Sequence, residues 1–566
     1  MNGVIARTIA YLIFRPLQVL LWSPWRRLAY AYIRRHNGVP AKLRAVKQLA
    51  ANLETSLDNY DPILLLSATE LARRIRSREL TSEQVVRVYI GRIRKVNPFL
   101  NAVVADRFEL AIEEARKIDA VLDSGDIPEE YRIESAPFLG VPITIKECIP
   151  VEGMPLTLGM PWRQDPEYSP AKESCNKTKN LVSAGFVILG VTNNPELLMA
   201  WESDNTIYGR SFNPYDLSRN TGGSSSGEGA IVGAGASVVG LGSDIGGSIR
   251  MPAFFCGTFG HKTTASWMPK EVKTWASPRT KEKALCGTTG PICRYAEDIA
   301  PFVSSLIGRD IGDPRSVDVS SLKVVAFPEG FGWQLLISSV EPDVRQSIVN
   351  VANFLGQQVV GQSNVSFAKM PREFGMATQL YTPYLNTGEL SFFQAIVGPK
   401  SKPFSWKTEL IPFLCGKSKH TFNPFILAWM GGNPAKSLTR EKTLPFWNKV
   451  DKFFTDLMGD NGVIIFPPHP LKAQPHGISY FNMPNFIYTG LFNILGYPVT
   501  QVPVGLSEDG IPLGVQVVAK NGEDLKAIAV ALVLEKRFGG WVPPRRFGAP
   551  ITEQESETLY AHKKSN

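Results

Sequence analysis

Residues 222–248 of this chain read G-G-S-S-S-G-E-G-A-I-V-G-A-G-A-S-V-V-G-L-G-S-D-I-G-G-S, and ten of these 27 residues are glycine. A flexible linker would not interleave apolar pairs such as those at 231–232 and 238–239, so the tract is predicted to be packed. Dense glycine in a packed segment permits positive φ angles and close backbone approach. Such a segment can gather backbone N–H groups around a ligand. The tract is therefore the first candidate for a functional site.

The tract can be compared with three known glycine-rich motifs. It has no lysine, which a phosphate-binding P-loop requires, and it lacks the third glycine of a dinucleotide-binding fingerprint. Residues 223–227 do match G-x-S-x-G, the nucleophile elbow of α/β-hydrolases, with Ser225 at the centre. That elbow directly follows an apolar strand, whereas here D-L-S-R-N-T-G precedes it. An esterase that uses Ser225 therefore stays open only as an alternative.

Two serines of the tract, Ser224 and Ser248, are candidates for nucleophilic chemistry. A serine hydroxyl is a poor nucleophile unless a base removes its proton. His261 and the other five histidines are expected to be structural or surface residues. Lys146 ends the apolar run V-P-I-T-I-K, so a buried strand would deliver its amine. Burial lowers the pKa of a lysine and yields a neutral amine that can act as base; the alternative is a strand-end lysine that reaches solvent.

Short β-branched runs alternate with helical stretches along the body of the chain. The strand candidates are 141–145, 186–191, 237–241, 322–327, 463–466 and 513–518. Capping boxes predict helices that begin after Ser67 and Thr81, and the second is expected to end at Asn97-Pro98. No repeat or low-complexity linker divides residues 60–540, so this pattern predicts one α/β domain around one sheet.

The first fifty residues carry the whole charge excess of the chain. They hold nine Lys and Arg and no acid, against a formal net charge of +9. The neutral remainder argues against a nucleic-acid partner, because such proteins carry a basic patch on the folded domain. The six cysteines show no C-x-x-C pair and no zinc-type spacing, so we expect no metal site and reduced thiols. Such cysteine usage favours a body that faces the cytosol.

An apolar run within this basic arm (residues 1–50) predicts a membrane anchor. Residues 4–22 are mostly apolar and would extend about 28 Å as a helix, enough to cross a bilayer. Arg7, Arg15 and Pro16 oppose a crossing, while the aromatic and basic residues that follow suit a headgroup layer. A cleaved signal peptide is disfavoured because Arg15 interrupts the apolar run. We expect attachment to an intracellular membrane, either single-pass or monotopic in the interface.

Four motifs in one order carry a family likeness. V-P-I-T-I-K-E at 141–147, G-G-S-S-S-G at 222–227, G-S-D-I-G-G-S-I-R-M-P-A-F-F-C-G at 242–257 and G-I-P-L-G-V-Q-V-V-A at 510–519 resemble the amidase signature hydrolases. The resemblance covers roughly residues 62–540. It implies the amidase signature fold, a large twisted mixed β-sheet surrounded by helices, as a catalytic domain over 51–550 that is followed by a polar tail at 551–566.

The same resemblance implies a catalytic mechanism. A Ser-cis-Ser-Lys triad would use Ser248 as nucleophile, Ser224 as bridging serine and Lys146 as base. The developing oxyanion would be stabilised by the backbone N–H groups of Ile245, Gly246, Gly247 and Ser248. No cofactor or metal is implied. Ser226 stands where the family usually has a glycine, which places an extra hydroxyl beside the bridging serine.

Other features suggest the substrate. The apolar N-terminus and Glu228 resemble the branch of the family that hydrolyses fatty-acid amides, so a lipid amide is the expected substrate. Met199 and Trp201 resemble residues that border the acyl site. Residues 404–430, apolar with scattered Lys and His, are either a membrane-contacting lid or an ordinary core-packed helix pair. Asp244 and Arg250 are expected to form a structural ion pair.

Three further alternatives stay open beside the Ser225 esterase. The chain could be a general small-amide amidase or a glutaminase-type amidotransferase subunit of the same fold, although these need no membrane arm. It could also be a catalytically inactive membrane scaffold, against which the retention of Lys146, Ser224 and Ser248 argues. The oligomeric state is left open, a homodimer included.

Overall fold

The computed structural model describes residues 60–268, 287–332, 334, 337–385, 405–415, 417–422 and 440–544. The predicted arm and the polar tail lie outside these residues, as does part of the 404–430 segment. Among the residues described, no helix combines the length and apolar character needed to cross a membrane.

One mixed sheet contains eleven strands in the order β1-β3-β2-β4-β6-β5-β10-β11-β9-β7-β8. The strands are β1 Val103–Asp106, β2 Pro142–Lys146, β3 Val187–Thr192, β4 Val239–Asp244, β5 Phe259–Lys262, β6 Thr288–Cys293, β7 Lys323–Ala326, β8 Val365–Phe367, β9 Gly462–Phe466, β10 Val499–Leu506 and β11 Pro512–Val518. Strand β2 runs parallel to β3 and β4, and β7 runs parallel to β8 and β9. The predicted α/β fold with a large mixed sheet is confirmed.

Helices surround this sheet. They are α1 Ala68–Arg76, α2 Ser82–Leu100, α3 Phe108–Ser124, α4 Asn176–Ser183, α5 Ser226–Gly233, α6 Arg250–Phe255, α7 Ile299–Ile307, α8 Pro342–Gln358, α9 Ala377–Leu385, α10 Trp406–Leu414, α11 Arg440–Met458, α12 Ile487–Ile494 and α13 Asp524–Phe538. All residues of β2 and β3 are buried, as expected for parallel strands covered on both faces.

The local predictions are largely confirmed. Each of the six predicted strands has a counterpart whose ends lie within three residues of the predicted ones, and the hydroxyls of Ser67 and Thr81 cap α1 and α2. The predicted end of α2 at Asn97-Pro98 is wrong, because the helix continues to Leu100. Proline removes one hydrogen bond in that last turn, and the burial of the residues after it compensates.

The fold brings the ends of three strands together. Lys146, Thr192 and Asp244 are the last residues of β2, β3 and β4, and β2 lies between β3 and β4 and runs parallel to both. The carboxyl ends of such strands form the usual ligand-binding edge of an α/β sheet. Two glycines of β4 let the start of α5 lie on the sheet here: a Cβ at Gly240 would be 1.8 Å from an oxygen of Glu228. The glycine density of the tract thus serves close packing at this edge.

Candidate active site

The amine of Lys146 lies at the centre of this edge. It has no exposed surface, and its Nζ donates hydrogen bonds to Ser224 Oγ at 2.7 Å and to Ser243 Oγ at 3.0 Å. Ser224 follows a cis peptide bond with Gly223. Burial lowers the pKa of the Lys146 amine from its ordinary value, although nearby acidic groups oppose this. The site therefore favours a neutral amine in contact with a serine hydroxyl.

Ser248 lies beside this pair and is the most accessible of the three. It is 9% exposed, against 2% for Ser224 and none for Lys146. The backbone N–H of Ser225 donates to the Ser248 carbonyl at 3.1 Å, which joins the two serine segments. Within the described chain, the Ser248 hydroxyl forms no hydrogen bond, and thus none to Ser224. The structure therefore brings the three predicted residues to one site and leaves the Ser248 hydroxyl free to meet a substrate.

The loop 245–248 after β4 presents backbone donors at the site. The N–H groups of Ile245, Gly246 and Ser248 have no partner among the described residues. The expectation that Gly247 also donates to an oxyanion is wrong for this structure. Its N–H donates at 2.7 Å to the Asp244 carboxylate and points into the protein. Three of the four predicted donors, the N–H groups of Ile245, Gly246 and Ser248, are therefore available to bind a substrate oxygen.

Two distant side chains fix the shape of this loop. Thr489 of α12 donates its hydroxyl to the Gly246 carbonyl at 2.7 Å, and Tyr381 of α9 donates to the Ile245 carbonyl. Gly247 has a φ of +121°, and a Cβ there would be 2.0 Å from the Thr489 hydroxyl oxygen. Only glycine fits this position. Because carbonyl and N–H of one peptide point in opposite directions, holding these carbonyls orients the following N–H groups.

The predicted ion pair of Asp244 and Arg250 is confirmed. The Arg250 Nη2 atom lies 3.0 Å from Asp244 Oδ1, and neither side chain is exposed. Burial alone would raise the pKa of Asp244, but Arg250 and several hydrogen bonds outweigh it and hold that pKa well below its usual range. The pair is structural, because the carboxylate accepts backbone N–H groups from both sides of Ser248.

The predicted acyl-side residues pass close to the bridging serine. A Cβ at Gly223 would be 2.3 Å from the Ala200 carbonyl oxygen and 3.0 Å from the Trp201 Cα. The indole of Trp201 is buried and packs edge-on against His469, with ring centroids 5.0 Å apart. Met199 is partly buried against the core. The segment 199–201 therefore borders the residue that precedes Ser224.

The esterase alternative is contradicted by the position of Ser225. This residue has no exposed surface, and its hydroxyl donates to the Ser243 carbonyl at 3.3 Å. No named strand leads into it, because the preceding residues form turns and a single bridge. The extra hydroxyl of Ser226 is buried without a hydrogen-bond partner among the described residues. Neither serine can therefore attack a substrate in this structure.

The described histidines are held by other groups and do not contact Lys146, Ser224 or Ser248. His261 lies between Thr500 and Asp524, as expected for a structural histidine. The partners of the remaining described histidines are Glu196 for His420, the Leu471 backbone for His469, and Glu202 and the Leu217 backbone for His476. In the described part of the chain, no cluster of His, Cys, Asp and Glu is suited to a metal ion.

Sequence reasoning missed three residues that support the site, namely Ser243, Thr489 and Tyr381. Ser243, the second acceptor of Lys146, is part of the tract, and its place beside Asp244 was the available signal. Thr489 and Tyr381 lie more than a hundred residues downstream of the loop that they hold. No local pattern in the sequence marks either of them.

Comparison with known proteins shows what this chain resembles. The amidase family model matches residues 84–359 and 431–527. Fatty-acid amide hydrolase 2-A of Danio rerio is 40% identical over 493 residues, which cover 86% of this chain and 91% of that protein. Fatty-acid amide hydrolase 2 of Homo sapiens is also 40% identical, over 495 residues that cover 86% and 92%. A bacterial aryl acylamidase structure superimposes with a TM-score of 0.69 at 21% identity and covers 87% of this chain and all of its own.

Proposed function

The chain belongs to the amidase family, and on that premise we propose that it hydrolyses fatty-acid amides through an acyl-enzyme formed on Ser248. It is an amide-cleaving serine hydrolase by family. The observation that carries the proposed triad is the 2.7 Å hydrogen bond between the Lys146 amine and the Ser224 hydroxyl. A lysine that loses its charge by burial can accept a proton from a serine.

In the proposed acylation, neutral Lys146 takes the proton of Ser224 while Ser224 takes that of Ser248. The Ser248 oxygen then attacks the amide carbonyl carbon and forms a tetrahedral intermediate. Its oxyanion accepts hydrogen bonds from the free N–H groups of the 245–248 loop. In other hydrolases the loss of one such donor costs about 2.7 to 4 kcal/mol.

Breakdown of the intermediate needs the same proton. An amine is a poor leaving group unless its nitrogen is protonated, so the proton held by Lys146 returns through Ser224 to the departing nitrogen. The C–N bond breaks and leaves an acyl ester on Ser248. Lys146 and Ser224, both neutral again, then take a proton from a water molecule in the same way. This water attacks the ester and releases the acid.

Apolar walls beside the loop support a fatty acyl group. A Cβ at Gly246 would meet the Tyr381 hydroxyl at 3.4 Å and a ring carbon of Phe486 at 3.6 Å. These two rings pack edge to face, with centroids 4.8 Å apart. At Gly223 the nearest atoms belong to the backbone of Ala200 and Trp201. The names of the relatives above point to the same substrate class.

The test is a series of hydrolysis rates. We expect kcat/KM to rise from short primary amides and glutamine toward long-chain primary amides and N-acyl amines, with Ser248→Ala as blank. A preference for glutamine or other small polar amides would assign the chain to small-amide chemistry. A folded wild-type protein that a fluorophosphonate probe does not label at Ser248 would support an inactive scaffold and would contradict the proposal.

The proposed enzyme would act at a membrane through its N-terminal arm and a lid. In the described part of the 404–430 segment, Ile411 of α10 is 69% exposed and Leu410 is also exposed. The segment rests on the loop near Trp201, where the His420 Nδ1 lies 2.6 Å from Glu196 Oε1. An exposed apolar helix on the substrate side supports a second membrane contact.

A further inference from the structure

A buried carboxyl group lies on the same sheet face as the proposed base. Glu228 of α5 has no exposed surface. Its Oε2 lies 2.7 Å from the hydroxyl oxygen of Thr144, and its Oε1 lies 2.8 Å from that of Thr192. The Thr144 hydroxyl is also 3.1 Å from Ser237 Oγ, and Ser237 donates to the Val239 carbonyl at 2.9 Å.

The hydrogen atoms of this hydrogen-bond network, which joins Glu228, Thr144, Thr192, Ser237 and the Val239 carbonyl, can be counted. The network contains four hydrogen bonds, and each needs one hydrogen atom. The three hydroxyl groups of Thr144, Thr192 and Ser237 supply three, and the Val239 carbonyl can only accept. The fourth hydrogen must come from Glu228. With a carboxyl proton present, Glu228 donates to Thr144, Thr144 to Ser237 and Ser237 to Val239, while Thr192 donates to the carbonyl oxygen.

The same count gives the opposite result at another buried carboxyl. Asp298 lies 2.9 to 3.0 Å from the backbone N–H groups of Ala68 and Thr69 and from the Thr69 hydroxyl. Those donors supply all three hydrogens, so Asp298 is satisfied as a carboxylate. Counting therefore distinguishes Glu228 from an ordinary buried acid of this protein.

The charges of Glu228 and Lys146 would influence each other. Side chains alternate along a strand, so Thr144 and Lys146 project from the same face of β2. Burial raises the pKa of Glu228 to about 8, and Lys146 is the charged group that opposes this rise. The other buried charged groups on, or directly after, the elements packed against α5 are Arg92 of α2, Glu147 after β2, Asp244 of β4, Arg250 of α6 and Arg294 after β6.

We propose that Glu228 is a neutral carboxylic acid in the working enzyme and is a positioning residue that adds no second buried anion beside Lys146 to that of Asp244. An ionised carboxylate there would favour the ammonium form of Lys146 and remove the free amine. The inference deepens the proposed function, because it rests on Lys146 as base.

The first test is the pH dependence of kcat/KM in Glu228→Gln. The amide of glutamine donates to Thr144 and accepts from Thr192, so it mimics the protonated acid. We expect the acid limb, which reports the deprotonation of Lys146, to stay at the wild-type pH. Above about pH 8, ionisation of Glu228 should hold back the wild-type rate and not that of the variant. An acid limb displaced to lower pH by about one unit or more would show that Glu228 is ionised in the wild type.

The second test needs no catalysis. The infrared spectrum of the wild-type protein should contain a protonated-carboxyl C=O band that disappears at alkaline pH and is absent from Glu228→Gln. Thr192→Val should move this band to higher frequency, because it removes the hydrogen bond to the carbonyl oxygen. Asp298→Asn should leave the band unchanged. A spectrum without such a band at neutral pH would overturn the inference.

These tests separate the two proposals. If Lys146→Ala keeps full activity while the infrared band is present, the proposed base is wrong and the protonation of Glu228 stands. If the band is absent while Lys146→Ala is inactive, the triad stands and the inference on Glu228 is overturned.

Discussion

Arg250 binds Asp244 through two guanidinium nitrogens, at 3.0 and 3.1 Å, in a place where neither side chain reaches solvent. The same carboxylate accepts the N–H groups of Gly247 and Ile249, which flank Ser248 in the chain. The backbone of residues 245–249 therefore folds around one carboxylate, whose charge Arg250 neutralises. We therefore expect the ion pair of Asp244 and Arg250 to stabilise both this loop and the whole fold.

Arg250→Met should destabilise the whole protein. Removal of one partner leaves a buried charge without compensation, which typically costs about 3 to 5 kcal/mol. Urea unfolding followed by circular dichroism measures the loss. Arg315→Met is the control, because Arg315 is exposed and lies 3.8 Å from Glu297, a pair expected to contribute at most about 1 kcal/mol. Equal midpoints for both variants would contradict the structural role of the ion pair.

Lys146→Ala should slow hydrolysis by about 10²- to 10⁴-fold, the usual contribution of a positioned general base. Burial lowers the pKa of the amine, so the wild-type rate should rise with pH through that lowered value as Lys146 loses its proton. The Lys146→Ala variant lacks this titratable amine, so its hydrolysis rate should not change with pH in that range. Rates of amide hydrolysis across the pH range measure both effects. An unchanged rise with pH in the variant would remove Lys146 from the mechanism.

The sequence indicated the sheet where strands are short, β-branched and continuous, as in β2 and β3. It missed β1, β5 and β8, which have only three or four residues, β6, whose residues T-T-G-P-I-C contain a glycine and a proline, and β10, which contains Pro503. Both prolines lower strand propensity, and pairing with neighbouring strands overrides it. The family resemblance of the motifs pointed to Lys146, Ser224 and Ser248, which the fold brings to one edge of the sheet.

The remaining parts of the site could not be predicted because they depend on tertiary folding. The N–H of Gly247 turns away from the site only because Asp244 lies 2.7 Å from it. Thr489 and Tyr381 reach the loop from helices far along the chain. The hydrogen bonds of Glu228 depend on the packing of α5 against Thr144 of β2 and Thr192 of β3. No local pattern encodes such convergence.

Gly247→Ala should lower kcat by about 10²- to 10³-fold, the usual effect of losing an oxyanion donor. The N–H of Gly247 is not itself such a donor, so the loss would come from displacement of the neighbouring donors. An alanine Cβ would be 2.0 Å from the Thr489 hydroxyl oxygen at a φ of +121°. Gly361→Ala is the control, because its φ is +84° and nothing lies within 4 Å of its Cβ position. Wild-type kcat in Gly247→Ala would show that the loop tolerates the change.

Deletion of residues 1–35 should release the protein from membranes, because it removes the apolar and most of the basic part of the arm. Sedimentation with vesicles that contain anionic lipid measures the bound fraction. If the truncated protein still sediments, binding must come from elsewhere in the chain. Leu410→Ser with Ile411→Ser in the truncated protein should then release it, and continued sedimentation would exclude α10 as the contact.

Lys146→Met should abolish a pH dependence of stability. The unfolded chain holds a proton on Lys146 below its ordinary pKa of about 10.5, whereas burial favours the neutral amine in the folded state. Since the unfolded state binds more protons between the lowered pKa and 10.5, wild-type stability should rise with pH there, by up to about 1.4 kcal/mol per unit. Urea midpoints at increasing pH measure the slope. Methionine has no titratable proton, so Lys146→Met should lack this rise of stability with pH. The control Lys452→Met, which changes an exposed lysine, should keep it. Parallel slopes for wild type and Lys146→Met would mean that the folded protein keeps this amine charged.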